Sequence, residues 1–229
     1  MATQTGFLLS YIKFGDNDAV LHCFTRENGF QSFFAKAIYA SKNKNRAYLL
    51  PMNELCFTLN PKHKSGALEN ITKIDLVENP EFYTDIKANS IVFFAADFLN
   101  QALRHENKQE KIYDEILKFL DELEKKNYRS HLIFLIKILK IQGLLPLLSK
   151  EKFLDPESGN FANVQHHSMF DEEISLVWKN LISHENPYEI PMKSSVRKNL
   201  LDSILVYYHY HYSDFRIPNS LEIVQQIFE

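Results

Sequence analysis

The feature of this chain that most limits its fold is a change in hydrophobic period near residue 80. Before Asn79-Pro80, apolar residues recur at about every second position in short runs such as GFLLSYIKFG and AVLHCFTR, with polar turns between them. A period of two is typical of strands with one buried face. Beyond that point the period is close to 3.6, which is typical of amphipathic helices. The chain is therefore predicted to carry a strand-rich domain followed by a helical one.

The strand-rich segment predicts a small β-barrel. It contains five strand-like runs, and the Asn28-Gly29 pair between the second and third runs indicates a tight hairpin with positive φ at both turn residues. Five short antiparallel strands in about eighty residues favour the five-stranded OB-fold barrel. We predict an α+β multidomain protein, with this barrel in residues 1–80 and an all-α helical domain in residues 81–229.

Six helices are predicted in the second segment. Their ranges are 83–103, 111–125, 131–142, 171–183, 195–212 and 220–228, and the residues between 150 and 164 have the composition of a loop. On the first helix, Ile86 and Phe93 are placed with the apolar face. The most apolar run, HLIFLIKILKIQGLLPLL, is interrupted by Lys137, Lys140 and Pro146, so it is predicted to be a core helix and not a membrane span.

Positive charge is concentrated in one part of a chain whose net charge is −3. Residues 28–66 hold six basic side chains and one acidic side chain, Glu54. The basic residues are Lys36, Lys42, Lys44, Arg46, Lys62 and Lys64. Aromatic residues, including Phe34 and Tyr39, alternate with them, a pattern that suits phosphate neutralisation and base stacking. The alternative is a solvated face whose aromatics belong partly to the barrel core.

The stretch YYHYHYSDF, residues 207–215, raises the question of a metal site. On a helix, His209 and His211 point roughly 200° apart, so they cannot bind one metal ion together. The tyrosines are predicted to pack in the core instead. Cys23 and Cys56 lie in apolar segments without a CxxC spacing and are predicted to be reduced thiols. With only 6 glycines and no phosphate-cradling glycine motif, the chain is not expected to be a nucleotide-driven enzyme.

The C-terminal segment RKNLLDSILVYYHYHYSDFRIPNSLEIVQQIF resembles the end of the RecO family of bacterial recombination mediators. Family members end with a helix bearing a Tyr and a His, a loop with an Arg, and a last helix that starts at Ser-Leu. The matching positions here include Tyr208, His211, Arg216, Ser220 and Leu221. FGDNDAVLHCFTRENG, AKAIYASKNKNRAYLLPMNEL and ILKIQGLLP resemble the family's opening, basic segment and central helix in the same order. The resemblance covers nearly the whole chain.

This resemblance implies a non-enzymatic function in DNA repair and recombination. RecO proteins bind single-stranded and double-stranded DNA and anneal complementary strands coated by single-strand-binding protein (SSB). With RecR they load RecA, in the bacterial cytoplasm at the nucleoid. The expected DNA-binding residues are Lys36, Lys42, Lys44, Arg46, Lys62, Lys64, Phe34 and Tyr39. The acidic, Phe-terminated tail of SSB is expected on the helical domain at Arg129, Phe134 and Lys137, beside the central helix.

The chain departs from the family at two places. Many members carry a cysteine-based zinc site after the Gly-x-x-Pro turn, but LSKEKFLDPESGNFANV contains no cysteine. We therefore expect no zinc and no other cofactor, with this loop held by packing of Phe153, Leu154 and Phe161. The glycine that is common in the basic segment is replaced by Ala37, a change that affects the path of that loop but not its charge.

Two other functions are compatible with the sequence. One is a protein-interaction adaptor, in which the OB barrel binds protein and not DNA. The other is a metal-dependent hydrolase, which would need carboxylates and histidines to converge from among His22, His63, His166 and His167. Annealing of SSB-coated oligonucleotides separates the adaptor from RecO, and metal content separates the hydrolase.

Overall fold

The computed structural model of this protein describes residues 2–60, 68–78 and 80–228. Its contacts divide the chain into two compact units. The first comprises Met1–Tyr113 with Pro218–Ser220, and the second comprises Asp114–Ile217 with Leu221–Glu229. The first unit extends beyond the strands because the following helix packs on the first strand, where Ser10 donates a 3.0 Å hydrogen bond to Asn100. The domain boundary at residue 80 stays a prediction.

The first unit contains a closed barrel of five strands. In chain order these are β1 (Ala2–Phe14), β2 (Asp18–Thr25), β3 (Gly29–Ala35), β4 (Glu54–Leu59) and β5 (Glu69–Leu76). Their order around the barrel is β1-β2-β3-β5-β4, and every neighbouring pair is antiparallel except β3–β5. The predicted fold class, an OB-like barrel followed by an α-helical region, is confirmed.

Alternation along the strands builds the barrel core. Leu8, Leu21, Phe33 and Phe57 point inward and are buried, and the Phe33 and Phe57 rings stack with their centroids 5.0 Å apart. Each fully buried side chain of this size contributes about 1.5–3 kcal/mol to stability. Cys23 is also buried, and burial raises the pKa of its thiol. This cysteine is therefore a core residue with little thiolate character.

The turn between β2 and β3 contains three residues, 26–28. Gly29 has a φ of 77°, and an added Cβ would come within 2.3 Å of the Asn107 backbone. Thr25 donates its side-chain hydroxyl to the Gly29 carbonyl and accepts from the Asn28 amide. The predicted hairpin is confirmed by the antiparallel pairing of β2 and β3, but Asn28 does not use the positive φ that an Asn-Gly turn tolerates.

The helices lie close to the predicted ranges. They are α1 (Ile86–Ala102), α2 (Glu110–Glu124), α3 (Ser130–Ile141), α4 (Glu172–Ser183), α5 (Ser194–His211) and α6 (Leu221–Phe228). Asp171 caps α4 by accepting a 2.8 Å hydrogen bond from the Ile174 amide. Gly143 ends α3 with a φ of 74°, and its amide donates to the Lys140 carbonyl.

Two details of the helical region differ from prediction. Residues 150–164 form a small hairpin of β6 (Phe153–Asp155) and β7 (Asn160–Ala162) instead of a loop. Leu154 and Phe161 are buried there and Phe153 is half-buried. This agrees with the prediction that these three side chains hold the segment by packing. On α1, Ile86 and Phe93 are 76% and 43% exposed, because the buried face of that helix is formed by neighbouring residues such as Phe94.

The tyrosine-rich stretch is part of the core of the second unit. The Tyr207 hydroxyl donates to the Leu144 carbonyl at 2.9 Å, and the Tyr208 hydroxyl donates to the Leu135 carbonyl at 2.8 Å. His211 lies 3.0 Å from the Pro156 carbonyl oxygen, whereas His209 is exposed. The predicted packing is confirmed for Tyr207 and Tyr208, whereas Tyr210 is 45% exposed.

Candidate nucleic-acid interface

The basic loop between β3 and β4 has a path fixed by side-chain hydrogen bonds. The Ala37 amide donates to the Asp18 carboxylate at 2.6 Å, and the Asn43 side chain donates to the Ala37 carbonyl at 3.0 Å. Ala37 has a φ of 54°, in the left-handed region that favours glycine. Alanine therefore occupies a turn position that glycine would adopt without strain.

Apolar anchors and one helical turn support the exposed cations of this loop. Ile38 and Leu49 are buried against the barrel core. Between them a 3-10 helix, Lys44–Tyr48, is capped by Asn43. The side chains of Lys36, Lys42, Lys44 and Arg46 are all exposed. These four predicted DNA-binding cations thus belong to one anchored loop at one end of the barrel.

Tyr39 is surrounded by cations and by a second tyrosine. The Arg46 guanidinium lies 5.3 Å from the Tyr39 ring centroid, and the Lys13 ammonium lies 5.7 Å from it. A hydrogen bond joins the Tyr11 and Tyr39 side chains. Burial and Tyr11 raise the pKa of Tyr39, and Arg46 opposes this. We call Tyr11, Lys13, Tyr39 and Arg46 the mouth cluster.

Sequence reasoning missed Tyr11 and Lys13. Both occupy positions of β1 whose partners on β2, Leu21 and Ala19, point into the core. A lysine at an inward position near the end of a strand is a signal for the open end of a barrel, because it cannot be buried without a partner. This signal can be used only when the register between β1 and β2 is known, because the register decides which β1 positions point inward.

Phe34 and Tyr39 do not share a face. Phe33 points into the core, so its neighbour Phe34 points outward, and its ring packs edge to face on Phe14 with centroids 5.8 Å apart. Tyr39 lies at the barrel mouth with Lys13. Lys62 and Lys64, the remaining predicted cations, lie outside the described residues.

The three residues predicted for the SSB tail differ in accessibility. Phe134 is fully buried and stacks on Phe119 with a centroid distance of 4.4 Å. Arg129 donates to the Tyr188 carbonyl at 3.5 Å. Lys137 is half-buried, and burial lowers its pKa although Glu115 opposes the change. Of the three predicted residues, only Arg129 and Lys137 are therefore accessible to a ligand from solvent.

A cavity of about 250 Å³ lies near Arg129 in the second unit. Its apolar lining includes Leu201 and Val224, and Arg197 and Lys198 line it too. Arg197 also lines an open cleft that contains Arg129. Sequence reasoning missed Arg197 as a site residue, since nothing in the α5 pattern distinguishes it from a solvated arginine.

Of the histidines considered for a hydrolase, His22 has another partner. His22 lies 2.8 Å from the Ser32 hydroxyl, and its pKa is lowered by burial and then by Arg104. His63 lies outside the described residues. Within the part of the chain that the structure describes, no three His, Cys, Asp or Glu side chains are grouped to bind a metal ion. In that same part, no helix is long and apolar enough to cross a membrane.

A five-stranded OB-like barrel with a cationic and aromatic mouth, followed by an α-helical region, defines the class of this protein. Comparison with known proteins gives the family. The profile described as "Recombination protein O N terminal" matches residues 1–80, and "Recombination protein O C terminal" matches residues 83–160. The chain belongs to the RecO family.

Curated relatives match over nearly the full length. "DNA repair protein RecO" of Flavobacterium psychrophilum is 28% identical, with 96% of each chain covered. The protein of the same name in Flavobacterium johnsoniae is 27% identical with 96% of each chain covered, and that of Azobacteroides pseudotrichonymphae is 25% identical with 95% covered. The resemblance seen in the sequence is thereby confirmed.

Proposed function

We propose that this protein is a DNA repair and recombination mediator. It binds single-stranded and double-stranded DNA, anneals complementary strands coated by SSB, and with RecR helps to load RecA at the nucleoid in the cytoplasm. Its family membership supports the role in DNA repair. The observation that carries the DNA-binding part is the mouth cluster, in which Arg46 and Lys13 flank the Tyr39 ring.

Phosphate neutralisation is the main source of affinity in this proposal. The exposed side chains of Lys36, Lys42, Lys44 and Arg46 replace condensed counterions on the DNA, and Lys62 and Lys64 are proposed to do the same. Because phosphates carry no base sequence, such binding is independent of sequence. Tyr39 and Phe34 add base stacking on two different faces of the barrel. We assign no catalytic residue and no cofactor.

Annealing follows from the same electrostatics. Two complementary strands repel each other until their phosphates are partly neutralised, and anchored cations on one loop lower this repulsion without fixing a base sequence. Annealing breaks no covalent bond, so it needs neither a nucleophile nor a nucleotide.

The second unit is proposed to receive the acidic tail of SSB. A Phe-terminated acidic tail needs an apolar pocket beside cations. Arg129 and Lys137 supply charge, as the sequence suggested, but Phe134 has no exposed ring to offer. The cavity beside Arg197 supplies the apolar pocket that Phe134 cannot, so we place the terminal side chain of the tail there.

The test is annealing of complementary oligonucleotides that are coated by SSB. Fluorescence quenching measures the rate of annealing. The protein should accelerate annealing well above the rate with SSB alone. An adaptor that binds only protein would bind SSB without accelerating annealing and without binding naked DNA. Such a result would overturn the proposed function.

A further inference from the structure

The outward face of the β1–β3 sheet carries exposed apolar side chains at the end that includes the β1–β2 turn. Ile12 pairs with Val20 on β2, and Val20 pairs with Phe34 on β3, so these three side chains form one row across the sheet. Phe14 follows Ile12 on the same side and contacts the Phe34 ring. Ile12 and Phe14 are 61% and 59% exposed. We call Ile12, Phe14, Val20 and Phe34 the outer strip.

The outer strip and the mouth cluster lie on opposite sides of the same strand. Successive strand residues point to opposite faces, so Lys13 lies on the mouth side while Ile12 and Phe14 lie on the outer side. Lys13 contacts Tyr39 and Phe14 contacts Phe34. Adjacent positions of β1 therefore contribute side chains to both surfaces.

The groups around the outer strip suit a nucleotide better than an apolar protein surface. Lys36 is exposed two positions after Phe34 and continues the outward alternation at the end of β3. Asn70, the exposed β5 partner of Phe34, provides an amide that can both donate and accept. The β2 partner of Phe14 is Asp18, and its carboxylate accepts from the Ala37 amide. The phenyl ring suits the face of a base, the Asn70 amide suits the edge of a base, and the Lys36 ammonium suits a phosphate.

We propose that Phe14 and Phe34 stack unpaired bases of single-stranded DNA, with Lys36 on the adjacent phosphate. The planes of the two rings are 78° apart, an edge-to-face arrangement in which a flat ring face stays open to a base. Duplex DNA keeps its bases stacked on each other, so the outer strip selects single strands. This inference rests on the proposed DNA binding and adds to it a base-stacking surface beside the basic loop, with Phe14 as a new member.

The test compares two fluorescent oligonucleotides of equal length, an oligothymidylate and its abasic counterpart, by anisotropy at one salt concentration. The wild-type protein should bind the oligothymidylate more tightly. Phe14→Ala should lower that affinity roughly five- to a hundredfold, the usual effect of losing one stacking ring. Its affinity for the abasic strand should not change. Phe14→Trp should keep the preference, which separates loss of stacking from loss of fold.

Phe93→Ala is the matched control, because Phe93 is an exposed ring on α1 in the same unit, and it should leave both affinities unchanged. The stacking inference is overturned if the wild-type protein binds the oligothymidylate and the abasic strand equally well, or if Phe14→Ala loses the same affinity for both. Either result leaves the proposed DNA binding intact. If the wild-type protein binds neither strand, the proposed DNA binding fails and this inference fails with it.

Discussion

The guanidinium of Arg46 lies 5.3 Å from the centroid of the Tyr39 ring. The Tyr39 amide in turn donates to the Asn17 carbonyl at 2.9 Å, within the β1–β2 turn. The cation of the basic loop is thus held against an aromatic ring that is itself anchored to another part of the barrel. Such preorganisation would reduce the side-chain entropy lost in the proposed binding of a phosphate by Arg46.

The triple variant Lys42→Ala, Lys44→Ala, Arg46→Ala should bind single-stranded DNA more weakly and with less dependence on salt. Each phosphate contact contributes about −0.7 to the slope of log K against log salt for single strands, so losing three contacts should make the slope shallower by about 2. Anisotropy titrations over a series of salt concentrations measure this slope.

A triple variant on other surfaces serves as the control. Lys111, Lys150 and Lys193 are exposed and lie outside the basic loop, and replacing them by Ala changes the net charge by the same amount. Their loss should leave the slope nearly unchanged. Equal slopes for the two triple variants would show that general charge, and not the basic loop, determines binding.

Ala37→Gly should stabilise the protein by about 1 kcal/mol. An L-residue in the left-handed region is strained by about 1–2 kcal/mol, and glycine removes this strain at some cost in unfolded-chain entropy. Ala37 has a φ of 54°. Urea unfolding of the wild-type protein and the variant measures the difference.

Ala40→Gly makes the same chemical change three residues further along the loop. Ala40 does not have a positive φ, so there the glycine brings only added freedom to the unfolded chain and should destabilise by roughly 0.5–1 kcal/mol. Opposite signs at the two positions are expected. If Ala37→Gly lowers the free energy of unfolding, the backbone at Ala37 is not strained.

Much of the fold was predictable because the hydrophobic period changes at one place. The six helices were found from apolar spacing, and Asp171 and Gly143 marked their ends by local chemistry that does not depend on tertiary structure. The β6–β7 hairpin was missed because strands of three residues are too short to show alternation. Phe93 was misplaced because a helix rich in apolar residues leaves its buried face ambiguous.

The candidate site was only partly predictable. Composition located the basic loop, since a local excess of lysine needs no knowledge of the fold. Lys13 was missed because it comes close to Tyr39 only when β1, β2 and the loop are assembled. Similarly, Phe34 and Tyr39 are five residues apart in sequence, but the strand ends at Ala35 and the chain turns at Ala37, so the two rings reach different faces.

A synthetic acidic peptide that ends in Phe should bind the second unit, and Arg197→Ala should weaken it about five- to tenfold. A loss of this size corresponds to about 1 kcal/mol, as expected for one partly exposed ion pair. Arg129→Ala should have a similar effect because both arginines line the same open cleft. Fluorescence anisotropy of a labelled peptide measures both.

Lys150→Ala removes an exposed lysine that does not line this cleft or the cavity and should bind the peptide as the wild-type protein does. Lys137→Ala tests the position suggested by the sequence. If it alone weakens binding while both arginine variants keep full affinity, the tail does not occupy the cavity beside Arg197.

Stability of the second unit should fall as the pH drops from 6.5 toward 4, because of His131. This side chain is 5% exposed, and its Nδ1 lies 2.7 Å from the Tyr128 carbonyl oxygen. Burial, with a smaller contribution from Arg197, lowers its pKa from 6.5 to about 4. Between these values the unfolded chain binds a proton that the folded chain excludes, so unfolding is favoured by up to about 3 kcal/mol.

His131→Asn should flatten this pH dependence, because the asparagine amide can donate to the Tyr128 carbonyl but does not titrate. Trp178, the only tryptophan in the chain, is buried between α4 and α5 and reports unfolding of this unit by fluorescence. His209→Asn, at an exposed position of α5, should keep the wild-type pH dependence. The comparison uses the difference in unfolding free energy between about pH 7 and pH 5, so a uniform destabilisation by the substitution cancels. If His131→Asn loses as much stability on acidification as the wild-type protein, His131 is not the group that the folded state keeps neutral.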